Sequence, residues 1–216
     1  KKIYFPDYRY SEDLDFTLRN DIANDEMISK LKEVLDLLAK EHGFQFAVPA
    51  EKIEERADSL TAYINFVGPL QARLESRSIK VDFTLSEKLI FPVDSREVHS
   101  PYSDAVNRMI PTYSLEEILV EKLCAIIGRT EPRDIYDVNY LFGISDIDFQ
   151  SVPHAFIEKA EFKGVNPGTL SDSLNNKQDK YERMWGTRLE HQIKELPHLA
   201  EVLRELNRNL RKYGLS

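Results

Sequence analysis

The sequence predicts an α+β protein, with strands gathered in its first half and helices in its second. Before Pro111, apolar and polar residues alternate in several short segments, and this alternation has the period of a strand. One long apolar stripe at helical spacing, in residues 24–41, separates the first of these segments from the others. Beyond Pro111, apolar residues recur at helical spacing nearly to the end of the chain, so we expect a helical C-terminal half.

The composition is that of an ordinary soluble globular protein. Hydrophobic residues make up 42% and charged residues 31% of 216 residues, enough chain for one large domain or two small ones. No apolar run approaches the roughly 20 residues that a membrane span needs. The single cysteine, Cys124, cannot form an intrachain disulfide, which suits a reducing compartment, so we expect a cytoplasmic protein. The net charge of −8 argues against broad, salt-driven coating of nucleic acid and leaves room for a local basic groove.

The first strand is expected in the segment R-Y-S-E-D-L-D-F, residues 9–16. Leu14 and Phe16 alternate with Asp13 and Asp15, so the two carboxylates project from one face and the apolar side chains from the other. Neighbouring carboxylates repel one another, and a divalent cation such as Mg²⁺, which prefers oxygen ligands, relieves that repulsion. The alternative interpretation is a strand edge whose acids face water.

A helix is expected next, over residues 24–41, with Asn24 as its N-cap and Gly43 at its end. Two strands follow, F-Q-F-A-V at residues 44–48 and L-T-A-Y-I-N-F-V at residues 60–67. Because they are close in sequence and both alternate, an antiparallel hairpin is the simplest arrangement.

A later strand, S-I-K-V-D-F-T-L at residues 78–85, alternates in the same way as the first. Its apolar residues leave Asp82 on the polar face, which matches the pattern around Asp13 and Asp15. Three acids on the polar sides of two strands is the pattern that a two-metal phosphoryl-transfer site needs, because carboxylates hold the metals and orient the attacking group. The pattern permits Asp82 to lie beside the other two acids and does not require it. We also expect a strand in K-L-I-F-P-V, residues 88–93.

The helical half is expected to open with a capping box, in which Ser114 precedes Glu117 by three residues. Lys122 lies near the middle of the apolar stripe of that helix, where an ammonium group is costly to desolvate without an anionic partner. It either snorkels to water or forms a fixed cation at a cleft between domains, meeting Asp134 or a nucleotide phosphate. Asp137, on the same predicted helix as Asp134, is expected in a salt-bridged helix end.

The remainder of the chain continues as helices. The expected positions are residues 152–162, 179–196 and 197–213. The polar stretch with Pro and Gly at residues 164–177 is predicted to be a mobile loop. We expect two domains, an α/β domain over residues 1–111 and a helical domain over residues 112–216.

Taken together, these segments resemble the AbiEii/AbiGii toxin family of nucleotidyltransferases, within the DNA polymerase β-like superfamily. The segment R-Y-S-E-D-L-D-F is similar to the family signature, and I-K-V-D-F is similar to its third-acid strand. The run E-E-I-L-V-E-K-L-C-A-I-I-G-R-T-E-P-R-D-I-Y-D-V is similar to its helical motif, with a lysine on one helix and R-D-x-x-D on the next. The resemblance covers residues 1–142 and rests on the order, spacing and predicted structure of all three motifs.

The resemblance implies a polymerase β-like mixed β-sheet with flanking helices, followed by the helical half. It also implies an enzyme that transfers NMP from an NTP to an acceptor, with Mg²⁺ or Mn²⁺ as cofactor. The implied catalytic and metal-binding residues are Asp13, Asp15 and Asp82, and the implied nucleotide-binding residues are Ser11, Lys122 and Asp134.

Members of this family act as toxins of type IV toxin–antitoxin or abortive-infection systems, and some add nucleotides to tRNA 3′ ends. The resemblance therefore implies a tRNA or other RNA acceptor, a cognate antitoxin that acts as a protein or at the level of its gene, and no membrane partner. The family's phosphate-cradling loop, Gly-Gly followed by Ser or Thr, is expected upstream of Lys1. The alternative is a catalytically degenerate member that binds nucleotide, RNA or a partner protein.

The candidate contacts for an RNA acceptor lie in the N-terminal ten residues and beside Lys122, where the basic residues are Arg129 and Arg133. Basic and aromatic residues are interleaved in the N-terminal group: Lys1, Lys2, Tyr4, Phe5, Tyr8, Arg9 and Tyr10. The rings either stack on an unpaired base at a single-stranded 3′ end or pack under the sheet.

Overall fold

The computed structural model describes residues 3–5, 8–10, 13–68, 78–98 and 108–216. The predicted α+β class, with a mixed sheet and a helical second half, is confirmed. The chain divides into two compact units, one formed by Ser11–Glu87 and the other by Lys1–Tyr10 together with Lys88–Ser216. We call them the sheet unit and the helical unit. The predicted domain boundary after residue 111 stays a prediction.

The sheet unit contains one mixed five-stranded sheet and one long helix. Its elements are β1 (Asp13–Thr17), α1 (Asn24–His42), β2 (Gln45–Ala47), β3 (Ile53–Glu55), β4 (Ser59–Val67) and β5 (Ser78–Thr84). The strand order is β1-β5-β4-β2, and β3 also pairs with β4. Strand β1 runs parallel to β5, and the other pairs are antiparallel. The predicted antiparallel hairpin therefore corresponds to β2 and β4.

One face of this sheet is covered by α1. Met27 packs against Leu60 and Ala62, and Leu35 packs against Ile64 and Val81. Because side chains alternate along a strand, covering this face with apolar residues leaves the opposite face of β1, β4 and β5 to polar residues. The sheet thus presents its polar side chains on the face away from α1.

The ends of α1 are partly as predicted. Gly43 ends the helix with φ 70°, and its N–H donates to the Ala39 carbonyl at 3.0 Å. Asn24 is not the N-cap, because Ala23 holds that position and Asn24 is the first helical residue. The Asn24 side chain donates instead to Glu55 at 2.7 Å, so a partner on β3 takes the group that would have capped the helix.

The helical unit contains one short hairpin and six helices among its described residues. They are β6 (Asp94–Glu97), β7 (Met109–Thr112), α2 (Leu115–Gly128), α3 (Pro132–Leu141), α4 (Val152–Lys163), α5 (Leu170–Asn176), α6 (Gln178–Leu189) and α7 (Leu199–Lys212). Helix α2 is central: Leu119, Val120 and Leu123 are fully buried in the core of the unit. No helix in the described part of the chain has the length and apolar character that a bilayer crossing needs.

The strand predicted at residues 88–93 does not form. The N–H groups of Ile90 and Phe91 each donate to the carboxylate of Glu117 at 2.9 Å, so a side chain on α2 replaces a strand partner. Only half of the predicted capping box forms for the same reason. The Ser114 hydroxyl accepts from the Glu117 N–H at 3.1 Å, while the Glu117 carboxylate is used elsewhere.

The mobile loop predicted at residues 164–177 is also wrong. This stretch contains a 3₁₀ turn at Pro167–Thr169 and the helix α5, in which Leu170 and Leu174 are each 1% exposed. The ammonium group of Lys177 donates to three carbonyl oxygens at the end of α2, at 2.7 to 2.8 Å. The two buried leucines and the contacts of Lys177 stabilise a helix in a stretch whose polar composition is typical of a loop.

Candidate functional site

The polar face of the sheet unit brings the three predicted acids onto neighbouring strands. In the parallel pairing of β1 with β5, Asp13 lies beside Lys80 and Asp15 lies beside Asp82. Paired residues of parallel strands in register project from the same face, so the three acids and Lys80 form one group. We call this group the acid face. The juxtaposition that the alternation only permitted is therefore present in the fold.

Both carboxylate oxygens of Asp82 already have protein partners. Thr61, which lies opposite Asp82 on β4, donates its hydroxyl to Oδ1. Lys80 donates its ammonium group to Oδ2 and lies 3.9 Å from Oδ2 of Asp13. Burial lowers the pKa of Lys80, but its hydrogen bond to Asp82 and the charges of Asp82 and Asp13 outweigh this effect and raise the pKa. Lys80 was not recognised as a site residue from the sequence, although its position two residues before Asp82 places it on the same face.

The chemistry of the acid face suits a divalent cation. Carboxylate oxygens and a threonine hydroxyl are the hard ligands that Mg²⁺ prefers, and the side chains of Asp13 and Asp82 are 24% and 26% exposed, within reach of solvent. The side chains as they stand do not form a ready-made site, since no three His, Cys, Asp or Glu residues of the described ranges converge on one point. Residue types and register thus fit a metal, and Lys80 supplies the positive charge beside Asp82.

The second cluster lies in the helical unit and is centred on Lys122. Its ammonium group donates to Asp134 at 2.8 Å and lies 3.1 Å from Oδ2 of Asp137. The Lys122 side chain is 22% exposed, whereas Asp134 is fully buried. Of the two alternatives for this lysine, pairing with Asp134 is what the structure shows. We call Lys122, Asp134, Asp137 and the two arginines described next the lysine clamp.

An arginine binds each of the two carboxylates. Arg129 forms two hydrogen bonds with Asp134, at 2.7 and 2.9 Å. Arg9 forms two with Asp137, both at 2.8 Å. Three cations and two carboxylates give the lysine clamp a net charge of +1, in a chain whose formal net charge is −8. The cluster is therefore a local site of positive charge, and the double hydrogen bonds fix its geometry.

The pKa values of both carboxylates are low. Burial raises the pKa of Asp137, but the hydrogen bonds from Arg9 and the charges of Lys122 and Arg9 outweigh it and lower the pKa to about 2. The pKa of Asp134 is lowered in the same way, with Arg129 and Lys122 outweighing burial. Both groups therefore remain ionised at neutral pH, and the clamp keeps its charge pattern.

Asp137 is more than the salt-bridged helix end that the sequence suggested. It also accepts a hydrogen bond from the Tyr8 hydroxyl at 2.9 Å, and it is 6% exposed. Arg9 makes a further hydrogen bond to the side chain of Gln192, at 3.1 Å. No local sequence signal could have found these partners, because 128 residues separate Arg9 from Asp137.

Among the described N-terminal aromatic residues, Phe5 and Tyr8 pack in the helical unit. The ring of Tyr8 lies 5.3 Å from that of Tyr136 and 4.0 Å from that of Tyr140, both on α3. Phe5 contacts Tyr140 with a centroid distance of 5.1 Å. Tyr10 differs, since it is 75% exposed while its backbone N–H donates to the Gln192 carbonyl. Ser11, Lys1 and Lys2 lie outside the described residues.

The fold has clear relatives among solved structures. JHP933 from Helicobacter pylori matches with a TM-score of 0.54 and 15% identity, over 95% of this chain and 76% of that one. MenT4, a nucleotidyltransferase toxin from Mycobacterium tuberculosis H37Rv, matches with a TM-score of 0.60 and 17% identity, over 96% of this chain and 69% of that one. At these identities the likeness is one of fold. A comparison with curated protein sequences finds no match.

The chain shares its mixed α+β fold with MenT4, and the acid face is the candidate site on that fold. A family profile described as nucleotidyl transferase AbiEii toxin, type IV toxin–antitoxin system, matches residues 1–206. The chain belongs to this AbiEii family, as the resemblance of its motifs indicated. The protein is accordingly a nucleotidyltransferase toxin of a type IV toxin–antitoxin system.

Proposed function

We propose that this nucleotidyltransferase is Mg²⁺-dependent and transfers NMP from an NTP to the 3′ end of an RNA, with tRNA as the acceptor. The observation that carries the proposal is the register of β1 with β5, which brings Asp13, Asp15 and Asp82 onto one face. Acids in this arrangement are what two-metal phosphoryl transfer requires. Mn²⁺ has the same preference for oxygen ligands and would substitute for Mg²⁺.

Asp13, Asp15 and Asp82 would hold the metal, which neutralises the phosphates and polarises the phosphorus when it is bound. Asp82 can also serve as a general base. Its Oδ1 already accepts a hydrogen bond from Thr61, so it is held in one orientation on the sheet. A carboxylate fixed in this way can orient the hydroxyl of the acceptor and take its proton.

Lys122 is the residue we propose for contact with the nucleotide phosphates. Two of its three N–H groups point at Asp134 and Asp137, which leaves the third for a phosphate oxygen. Asp134 is fully buried, so it acts on the nucleotide only by holding Lys122 and Arg129. Ser11 is the third nucleotide-binding residue that we propose, on the resemblance of its segment to the family signature.

The acceptor proposal rests on charge and on one exposed ring. A net charge of −8 gives no general attraction for RNA, so an RNA end must be held at a local patch. Arg9 is not available for this purpose, because its side chain is 5% exposed and is paired with Asp137. Arg129 is 50% exposed, and Tyr10 is 75% exposed and can stack on an unpaired base.

Labelled NTP incorporation into bulk tRNA tests the catalytic proposal. We expect incorporation with Mg²⁺ or Mn²⁺, none with EDTA, and loss of at least about a hundredfold in Asp15→Asn, since a metal ligand is removed. Asp25→Asn, an exposed acid in the first turn of α1, is the matched control and should retain activity. NTP or RNA binding without incorporation would favour the alternative, a degenerate member that only binds.

Binding of tRNA with and without its single-stranded 3′ end tests the acceptor. Few phosphates are contacted on this proposal, so the log–log salt dependence should have a slope of magnitude about 2 to 4. Equal affinity for the two RNAs would remove the tRNA end and leave a small-molecule or protein acceptor. We also propose a cognate antitoxin, which acts as a protein or through its gene, and a cytoplasmic site of action.

A further inference from the structure

Lys80 lies on the acid face, on the same side of the sheet as Asp13, Asp15 and Asp82. It is beside Asp13 in the register of β1 with β5 and two residues from Asp82 on the same face. Its ammonium group donates to Oδ2 of Asp82 and lies 3.9 Å from Oδ2 of Asp13. One lysine thus spans two carboxylates on two strands.

Charge explains why a lysine is placed here. Without Lys80 the acid face would carry three negative charges on adjacent strands, and carboxylates so close together repel one another. Lys80 reduces the net charge of the face from −3 to −2 and so relieves part of this repulsion in the metal-free protein. The side chain is 33% exposed, so its ammonium group is within reach of solvent.

No three His, Cys, Asp or Glu side chains of the described ranges form a ready-made metal site, and both carboxylate oxygens of Asp82 are engaged. Oδ2 of Asp82 is bound by Lys80, and Oδ1 is bound by Thr61. A metal ion that takes Asp82 as a ligand must therefore replace the ammonium group at Oδ2. The hydroxyl of Thr61 carries no charge and can stay where it is.

We propose that Lys80 is a built-in placeholder cation, which stabilises the acid face without metal and leaves Asp82 when a divalent ion binds. Lys80 is a positioning residue on this proposal, and the proposal rests on the metal-binding role of the acids under the proposed function. It predicts that Lys80 competes with metal, so the protein alone holds free metal more weakly than three acids otherwise would. Removing Lys80 should then have two opposite effects, a less stable metal-free protein and tighter metal binding.

The test uses the full chain and Mn²⁺ without nucleotide. Free Mn²⁺ is measured by electron paramagnetic resonance during titration, and the melting temperature is measured with EDTA and with saturating Mn²⁺. In Lys80→Met we expect Mn²⁺ to bind roughly three- to tenfold more tightly, because a competing charge is gone. The metal-free melting temperature should fall by about 2 to 5 °C, and the difference should shrink at saturating Mn²⁺.

Three further variants make the result specific. Lys80→Gln keeps a hydrogen-bond donor for Asp82 without the charge and should have the same Mn²⁺ affinity as Lys80→Met. It provides the test if the methionine of Lys80→Met disturbs folding. Lys80→Arg keeps the charge and should retain the weak affinity of the parent. Lys30→Met removes an equal charge from α1, on the opposite side of the sheet, and should change neither quantity.

Two outcomes would overturn the proposal in distinguishable ways. Mn²⁺ affinity that is lost in Asp82→Asn but unchanged in Lys80→Met and Lys80→Gln would keep the acids as metal ligands and remove the placeholder. Mn²⁺ affinity that is unchanged in Asp82→Asn would place the ion elsewhere, and both the proposed metal site and the role of Lys80 would then be wrong.

Discussion

Arg9 donates two hydrogen bonds to the carboxylate of Asp137, which lies 128 residues further along the chain. This pair joins the segment just before β1 to helix α3, within the helical unit. Asp137 in turn lies 3.1 Å from the ammonium group of Lys122. Arg9, the first residue of the predicted segment at residues 9–16, is therefore part of the cluster that holds the proposed phosphate-binding lysine.

Loss of Arg9 should destabilise the protein strongly. Arg9→Ala removes two charge-assisted hydrogen bonds from the buried carboxylate of Asp137, which keeps Lys122 and Tyr8 as partners, so we expect a cost of about 2 to 3 kcal/mol. We expect a decrease of this order in the free energy of unfolding, measured with urea. Arg188→Ala, an exposed arginine at the end of α6, should change it by less than about 0.5 kcal/mol. Equal effects of the two substitutions would show that the Arg9–Asp137 pair contributes nothing to folding.

Asp137 should make the protein sensitive to acid in a defined range. Its pKa is about 2 in the folded protein, and an unfolded Asp titrates near 3.9. A lowered pKa means that the unfolded state binds the proton first as the pH falls, so stability is present above about pH 4 and is lost towards pH 2. The contribution at neutral pH is roughly 2 kcal/mol.

Urea unfolding of the parent and of Asp137→Asn at pH values from 2 to 7 measures this contribution. The variant should be less stable at neutral pH but should lose less stability between pH 4 and pH 2. Parallel curves for the two proteins would assign the acid sensitivity to other carboxylates.

Tyr181 should make the protein less stable at high pH, as Asp137 does at low pH. It is fully buried, and its hydroxyl has no hydrogen-bond partner among the described residues. Burial, together with the charges of Asp134 and Glu131, raises its pKa to about 12. A raised tyrosine pKa contributes stability below about pH 10, and this contribution is lost as the pH rises towards 12.

Replacing Tyr181 with phenylalanine separates the contribution of the hydroxyl to stability from that of the ring. Tyr181→Phe keeps the packing and removes a buried polar atom, so it should leave the free energy of unfolding unchanged or raise it by up to about 1 kcal/mol. It should also flatten the loss of stability between pH 10 and pH 12, measured by urea unfolding. A decrease of more than about 1 kcal/mol would show that the hydroxyl has a bound partner, such as an internal water.

The buried lysine of α4 should be essential for the stability of the helical unit. Lys159 is fully buried and donates to Glu117 and to the Lys88 carbonyl, both at 2.7 Å. Lys159→Met would leave the carboxylate of Glu117 buried with only backbone N–H partners, at a cost of about 3 to 5 kcal/mol. Urea unfolding measures the loss, and Lys163→Met, one turn further along α4 and partly exposed, is the control with an expected change below about 1 kcal/mol.

Lys122 can be tested separately from folding. In Lys122→Met, Asp134 keeps Arg129 and Asp137 keeps Arg9, so neither carboxylate is left without a cation. We expect a folded protein whose NTP affinity, measured by calorimetry, falls by at least about fivefold, since a charge-assisted hydrogen bond to phosphate is lost. Lys194→Met, which is exposed in the same unit, should bind NTP like the parent. Unchanged affinity in Lys122→Met would restrict this lysine to a structural role.

Part of the acid face could be predicted because it depends on local covalent geometry. Side chains alternate along any strand, so Asp13 and Asp15 share one face of β1 and Asp82 lies on the polar face of β5, while the register of the two strands brings the three together. The helices could be predicted for the same reason, since α1, α4 and α7 each lie within two residues of the expected bounds. The alternation of side chains along a strand and the apolar stripe along a helix can be predicted without information about distant residues.

The lysine clamp and the placement of Lys80 depended on the tertiary structure. The sequence marked Lys122 as a lysine on an apolar stripe, but only the packing of α3 against α2 brings two carboxylates to its ammonium group. Arg9 meets Asp137 across 128 residues, and no periodic pattern encodes a contact at that distance. Lys80 was visible on the polar face, yet its pairing with Asp82 and its proximity to Asp13 follow from the register of two strands.

The predicted strand at residues 88–93 and the predicted loop at residues 164–177 are wrong for the same physical reason. Residues 88–93 have the apolar composition of a strand, but Glu117 takes their N–H groups, and a strand without a partner does not form. Residues 164–177 have the composition of a loop, but burial of Leu170 and Leu174 and the contact of Lys177 with the end of α2 favour a helix. Local propensity differs between states by less than the free energy of one buried side chain or one satisfied hydrogen-bonding group, so tertiary contacts decide such segments.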